Sequence, residues 1–173
     1  MVARSRGVDI LTQGSGNPGA SNVARILGSK WGAFVFGLDA LKGAVPALVG
    51  VALGTRPDAY VLVSAAVLGH MFPVTRGFRG GKGVATMGGA MLVLHPITSV
   101  ILLALWIVVR RTTGKASLAS LLITIGLPVG IAIGGVPAWE IVSVVALCTL
   151  VLVRHVDNIK RLISHRELSA NRQ

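Results

Sequence analysis

Three stretches of this 173-residue sequence concentrate residue types that hold anions or move protons. The first reads Gly14-Ser15-Gly16-Asn17-Pro18-Gly19-Ala20-Ser21-Asn22-Val23-Ala24-Arg25. Glycines let successive backbone N–H groups turn inward around an anion. Ser15, Asn17, Ser21 and Asn22 add short polar side chains, and Arg25 adds a forked cation that matches phosphate. The second runs from Gly69-His70-Met71-Phe72-Pro73 to Gly80-Gly81-Lys82-Gly83-Val84-Ala85-Thr86. It gathers Arg76, Arg79 and Lys82 at the start of an apolar helix, whose N-terminus offers free N–H groups and a positive dipole end. A solvated loop accounts for these cations, but not for four glycines between positions 77 and 83. In the third, His155, Asn158 and Arg161 recur every three residues and form one helical stripe. Such a stripe suits a phosphate or a polyol, and an ordinary interfacial helix shares the pattern.

Two nucleotide motifs are approached and not met. Gly14, Gly16 and Gly19 spell G-x-G-x-x-G with Asp39 twenty residues beyond, but a dinucleotide site needs a surrounding βαβ unit. Asp39 instead falls within an apolar stretch. Around Lys82, Arg76 and Gly83 stand where a phosphate-binding loop of the Walker type requires Gly and Ser or Thr. No nucleic-acid partner is expected.

The elements that must position these loops are hydrophobic. Apolar residues make up 53% of the chain and charged residues 13%, against about 25% in a soluble domain. Mean hydropathy is +0.74. The composition predicts a basic, multi-spanning membrane protein forming a single unit over residues 1–173. Apolar stretches at 31–54, 59–72, 84–109, 117–134 and 136–153 supply the spans, the third carrying Pro96 near its middle. No cleavable signal peptide is visible at the start. Asp39 and Lys42, three apart, read as a mutual ion pair facing the bundle interior. His70 reads as a hydrogen-bonded packing residue, His95 as a turn residue, and Trp31 and Trp139 as interface anchors.

The net charge of +11 is distributed unevenly. Fifteen of the seventeen basic residues fall in four clusters, at 4–30, 76–82, 110–115 and 154–172. Short basic loops stay in the cytoplasm, so all four belong on one side and an even number of crossings separates neighbours. The stretch 84–109 complies only as a hairpin turning near His95-Pro96, each arm about 13 residues long. A single proline-kinked helix would put Arg110, Arg111 and Lys115 on the opposite side.

Taken with Asp39-Ala40-Leu41-Lys42-Gly43, Ser117-Leu118-Ala119-Ser120 and His155-Val156-Asp157-Asn158-Ile159-Lys160-Arg161-Leu162, the two glycine loops resemble the bacterial PlsY family in its motif order, from about residue 8 to 167. That family comprises acyl-phosphate:glycerol-3-phosphate acyltransferases. The resemblance implies an all-α, polytopic bundle in the bacterial inner membrane with its motif loops cytoplasmic. Family members have seven helices, whereas thirteen residues precede Gly14 here, so six segments, a fragment or a start further upstream is expected. A second departure is His165, where the family's third motif continues to a glycine; Glu167 still fits.

The implied reaction moves a fatty acyl group from acyl phosphate to the 1-hydroxyl of sn-glycerol 3-phosphate. It gives 1-acyl-sn-glycerol 3-phosphate (lysophosphatidic acid) and phosphate, the first step of bacterial phospholipid synthesis. The resemblance assigns Ser15, Gly16, Asn17, Ser21 and Arg25 to the acyl-phosphate phosphate, helped by Ser117 or Ser120. Lys82, with the amides of Gly80, Gly81 and Gly83, neutralises phosphate charge near the reacting centre. His155, Asn158 and Arg161 hold glycerol 3-phosphate. Ser15, Lys82 and His155 form the catalytic set, with His155 or the substrate's own phosphate as general base. Expected partners are the two substrates, an anionic bilayer and the soluble enzyme that forms acyl phosphate; no cofactor or metal is expected. The competing readings are a small transporter of phosphorylated metabolites, which would place its binding groups near the bilayer midplane, and a basic scaffold attracted to anionic lipids.

Overall fold

The computed structural model describes residues 2–169, so Arg172 of the last basic cluster lies outside the described residues. Short α1 (Ala20–Leu27) leads into the long α2 (Ser29–Leu53). There follow α3 (Arg56–Met71), α4 (Val84–Leu94), α5 (Pro96–Thr113), α6 (Ala116–Ile133), α7 (Ala138–Val153) and α8 (Val156–Ile163). The protein is an all-helical, polytopic membrane bundle. By length and apolarity α2, α3 with the turn after it, α5 and α6 can each cross a bilayer, and α7 qualifies together with α8, from which it bends by 59°. At 11 residues α4 spans only about 17 Å, so it depends on its neighbours.

Those neighbours approach closely because small residues line the contact. A Cβ on Gly43 of α2 would overlap the Thr86 carbonyl of α4, and one on Gly89 of α4 would overlap the Ala40 carbonyl. Without hydrophobic force between helices in lipid, such backbone proximity supplies the van der Waals attraction. Outward, Leu41, Leu48, Ile101, Ile125 and Val142 are exposed on the bundle surface, as a lipid-facing belt requires.

Hydrogen bonds fix which helix ends lie together. Lys82 before α4 contacts Asn158 of α8, and Asn158 and Ser117 of α6 both donate to Glu167. At the other end Arg56 of α3 reaches Glu140 of α7 and the Leu94 carbonyl closing α4. The connection at His95 is therefore a hairpin, with the start of α4 and the end of α5 at the same end of the bundle, and the basic clusters gather there. The break falls at Pro96, which opens α5 at its first position, where a missing N–H costs nothing; the arms are unequal, 11 and 18 residues, because α5 runs on through Arg110 and Arg111 to Thr113.

Two residue readings change. His95 is not merely a turn residue: it is buried, its Nε2 2.7 Å from the Tyr60 hydroxyl and 3.3 Å from Glu140. Its partners come from α3 and α7, which local sequence does not reveal. Asp39 and Lys42 do pair at 2.7 Å, but only Asp39 is buried, while the Lys42 side chain is 56% exposed. The long lysine stem carries the ammonium outward and leaves the carboxylate inside.

Candidate active site

A cavity of about 250 Å³ opens at the basic end and runs between α4, α5 and α6. Its mouth is polar, formed by Ser15, Asn17, Ser21, Asn22, Arg25, Asp39, His70, Lys82, Gly83, Ser117, His155, Asn158 and Glu167. Deeper, Met91, Leu92, Leu102, Leu103, Trp106, Ile123 and Leu127 line an apolar slot. Ser120 sits at the transition, its hydroxyl donating to the Ala116 carbonyl and accepting from Trp106 Nε1 at 3.1 Å.

Lys82 contacts the Asn158 side-chain oxygen. Burial, reinforced by Arg161 and Arg154 against the opposing Glu167 and Asp157, pushes its ammonium pKa down to about 8. His155 caps α8 and is 2% exposed. Its Nδ1 lies 2.7 Å from the Val151 carbonyl. A carbonyl only accepts, so Nδ1 carries the proton and Nε2 keeps the lone pair. Burial pushes this imidazole down to about 4, so it is neutral at physiological pH.

Glu167 joins the third stretch to the rest. Its carboxylate accepts from Ser117 Oγ at 2.8 Å, Asn158 Nδ2 at 2.7 Å and Arg161 Nε at 3.0 Å. Burial alone would raise this carboxyl, but those bonds outweigh it and hold it below the ordinary carboxylate value. Arg161 acts on the cavity through Glu167 and does not itself line it.

The glycine loops work differently from an open amide nest. The Ser15 N–H donates to Asn22 Oδ1, that of Gly16 to the Gln13 carbonyl, and that of Gly19 to Asn17 Oδ1. Gly16 has φ +66° and stands outside the cavity lining. Gly80 and Gly81, whose amides were expected on phosphate, donate instead to the Met71 and His70 carbonyls, each at 3.2 Å. The last turn of α3 leaves those carbonyls without helical partners, and the loop satisfies them. Gly83 does line the cavity; it has φ +84°, and a Cβ there would overlap Met71.

Of the expected residues, the fold thus brings Ser15, Asn17, Ser21, Arg25, Lys82, Gly83, Ser117, Ser120, His155 and Asn158 to one cavity. Sequence reasoning undervalued Asn22, which is 2% exposed. It accepts from the Ser15 N–H and Arg25 Nη1 and donates to the Ile10 and Gln13 carbonyls. Four bonds on one amide make it the organiser of the first loop. Its position inside that loop was the only signal, as position in the third motif was for Glu167.

A family model described as glycerol-3-phosphate acyltransferase matches residues 1–165. The glycerol-3-phosphate acyltransferase of Aquifex aeolicus is 40% identical over 96% of this chain and 88% of its own length. That of Shewanella halifaxensis is 43% identical over 100% and 87%. The crystal structure of PlsY, an integral membrane glycerol 3-phosphate acyltransferase, in its glycerol 3-phosphate form superposes with a TM-score of 0.93. It is 38% identical over 97% of this chain and 85% of that one. Its lysophosphatidic acid form gives 0.89. With the family model matching residues 1–165 and relatives about 40% identical over nearly its whole length, the chain belongs to the glycerol-3-phosphate acyltransferase family.

Proposed function

We propose that this acyltransferase moves a fatty acyl group from acyl phosphate to the 1-hydroxyl of sn-glycerol 3-phosphate, at the cytoplasmic face of a bacterial inner membrane. The supporting observation is the cavity's composition: a cationic, hydrogen-bonding mouth continuous with an apolar slot. Two phosphate anions and one hydrocarbon tail match those two zones. Acyl phosphate is a mixed anhydride and already activated, so no covalent enzyme intermediate is required. The hydroxyl oxygen attacks the carbonyl carbon, the bond from that carbon to the bridging oxygen breaks, and phosphate departs with the electron pair. Arg25 and Lys82 offset the repulsion between the two anions and the charge growing on the carbonyl oxygen. The hydroxyl proton goes to Nε2 of neutral His155 or to the substrate's own phosphate.

Purified protein in lipid, supplied with acyl phosphate and glycerol 3-phosphate, releases phosphate and forms 1-acylglycerol 3-phosphate in equal amounts. Acyl-CoA in place of acyl phosphate yields neither. Turnover with acyl-CoA alone would overturn the donor assignment. His155→Ala separates the two proton acceptors: a fall in kcat of about 10²-fold or more marks the imidazole as base, and an effect confined to KM assigns the proton to substrate phosphate.

A further inference from the structure

The pair Asp39 and His70 has no task in the chemistry above, yet both reach the cavity lining where α2 meets the end of α3, Asp39 buried and the His70 side chain only 9% exposed. His70 Nδ1 lies 3.5 Å from Asp39 Oδ1, and the same carboxylate oxygen is held by Lys42 at 2.7 Å. The opposite edge of the imidazole faces Gly81. A Cβ on Gly81 would overlap His70 Nε2 and come within 2.8 Å of Cε1 and 3.2 Å of Cδ2, all atoms of this one ring. The backbone of His70 also accepts the Gly81 N–H at 3.2 Å, and Arg154 Nη2 donates to the Gly80 carbonyl at 2.9 Å. The residue after Gly81 is Lys82.

We propose that His70 is a positioning residue: its ring, oriented by Asp39, is the wedge that sets where the 80–83 loop, and hence the Lys82 ammonium, sits in the acyl-transfer cavity. The inference rests on Lys82 being the group that neutralises phosphate. Glycine at 81 follows from the same contact. Its φ is not among the left-handed ones, so alanine is excluded by the ring and not by the backbone. A small polar cavity of about 70 Å³ beside Asp39, His70 and Gly81 leaves room for the loop to slip if the wedge is shortened. Misplacement of a catalytic group by about 1 Å costs up to 10²-fold in rate.

Two double-mutant cycles in the full-length protein in lipid test this, with kcat and KM for glycerol 3-phosphate as readouts. His70→Ala and Gly81→Ala each lower kcat/KM by about tenfold or more. The double variant is no worse than His70→Ala, because the added methyl enters the space the ring has left. Lys82→Met lowers kcat/KM by about 10²-fold or more, and adding His70→Ala to it changes little further. Losses that multiply in either cycle overturn the wedge, since His70 would then act independently of the loop or of Lys82. If His70→Ala does not fold, His70→Asn carries both cycles, because it keeps a nitrogen toward Asp39 and loses the far edge of the ring. Near-normal turnover in Lys82→Met would overturn the phosphate role of Lys82 itself. A crippled Lys82→Met with multiplying losses overturns the wedge alone.

Discussion

The two ends of the bundle each bury a polar cluster, and they are built on opposite rules. At the end away from the cavity, one carboxylate, Glu140, accepts from Arg56 at 2.6 Å and Tyr60 at 2.8 Å and lies 3.3 Å from His95; Arg56 also caps the Leu94 carbonyl. The charges balance, the donors are spent, and none of these residues lines the cavity. At the other end Arg25, Lys82, Arg154 and Arg161 face Glu167 and Asp157, leaving cation in excess around an open volume. A polar cluster that holds a fold together must satisfy itself. One with unspent positive charge around an open volume is suited to an anionic ligand, which is the use the proposed function makes of it.

The sharpest way to break that contrast is to remove Glu140, which is 1% exposed. Glu140→Ala removes the common acceptor of Arg56, Tyr60 and His95 and opens a buried gap, leaving Tyr60 only His95 and Arg56 only the Leu94 carbonyl and solvent. With the remaining cation part-exposed, the loss comes to about 1–2 kcal/mol of hydrogen bonding and packing, so the thermal unfolding midpoint in detergent drops. The molecules that remain folded keep their KM for glycerol 3-phosphate. A large KM change without a change in midpoint would mean that the far cluster takes part in binding.

A second test uses pH, because the two ends respond differently. Lys82 titrates near 8, lowered chiefly by burial, so the cavity loses a positive charge as pH rises through 8 instead of above 10. kcat/KM for glycerol 3-phosphate therefore approaches a tenfold fall per pH unit above about pH 9, roughly 50-fold in all between pH 8 and 10. The stability contribution runs the other way. Between about 8 and its ordinary value near 10.5 the unfolded chain binds more protons at this lysine than the folded one, and stability rises with pH there. Activity lost above pH 8 with an unchanged or higher unfolding midpoint identifies the lysine. A midpoint that falls in step with activity would point to general unfolding. Bound phosphate favours the charged ammonium, so kcat declines at higher pH than kcat/KM does.

What the sequence disclosed follows the same division. The hairpin was legible because basic loops gather on one side of a membrane without reference to neighbours; the four clusters demanded a turn at Pro96, and the fold supplies one. The residues of the cavity mouth were legible because Arg25, Lys82, His155 and Asn158 are of types that bind phosphate and occur in compact motifs. Roles set by tertiary partners were not. Gly80 and Gly81 carry the composition of an anion nest, but the end of α3, nine or more residues earlier, claims their amides. His95 looks like punctuation beside Pro96 until α3 and α7 bring Tyr60 and Glu140 to it. Periodicity and composition describe what a segment prefers, and they say nothing of what another segment will offer it.

The mildest test asks whether charge alone suffices at the cavity mouth. Arg25 is half-buried and uses its guanidinium at two points at once: Nη1 donates to Asn22 Oδ1 at 3.0 Å and Nε to the Ser169 carbonyl at 3.4 Å. It thereby ties α1 to the chain that follows α8. Burial lowers its pKa, Glu167 opposes that shift and Arg161 adds to it. Arg25→Lys keeps a cation at this position, but a single ammonium on a flexible stem cannot reproduce the fork. Losing one of two guanidinium bonds to a substrate phosphate costs about 1.5 kcal/mol or more, so kcat/KM falls roughly tenfold with the charge intact. Because Asn22 retains its bonds to Ser15, Ile10 and Gln13, the first loop keeps its shape and the unfolding midpoint drops only slightly, through the lost tie to Ser169. Full activity in Arg25→Lys would show that the mouth reads its anions by net charge alone, and the geometric distinction between the two ends would reduce to an electrostatic one.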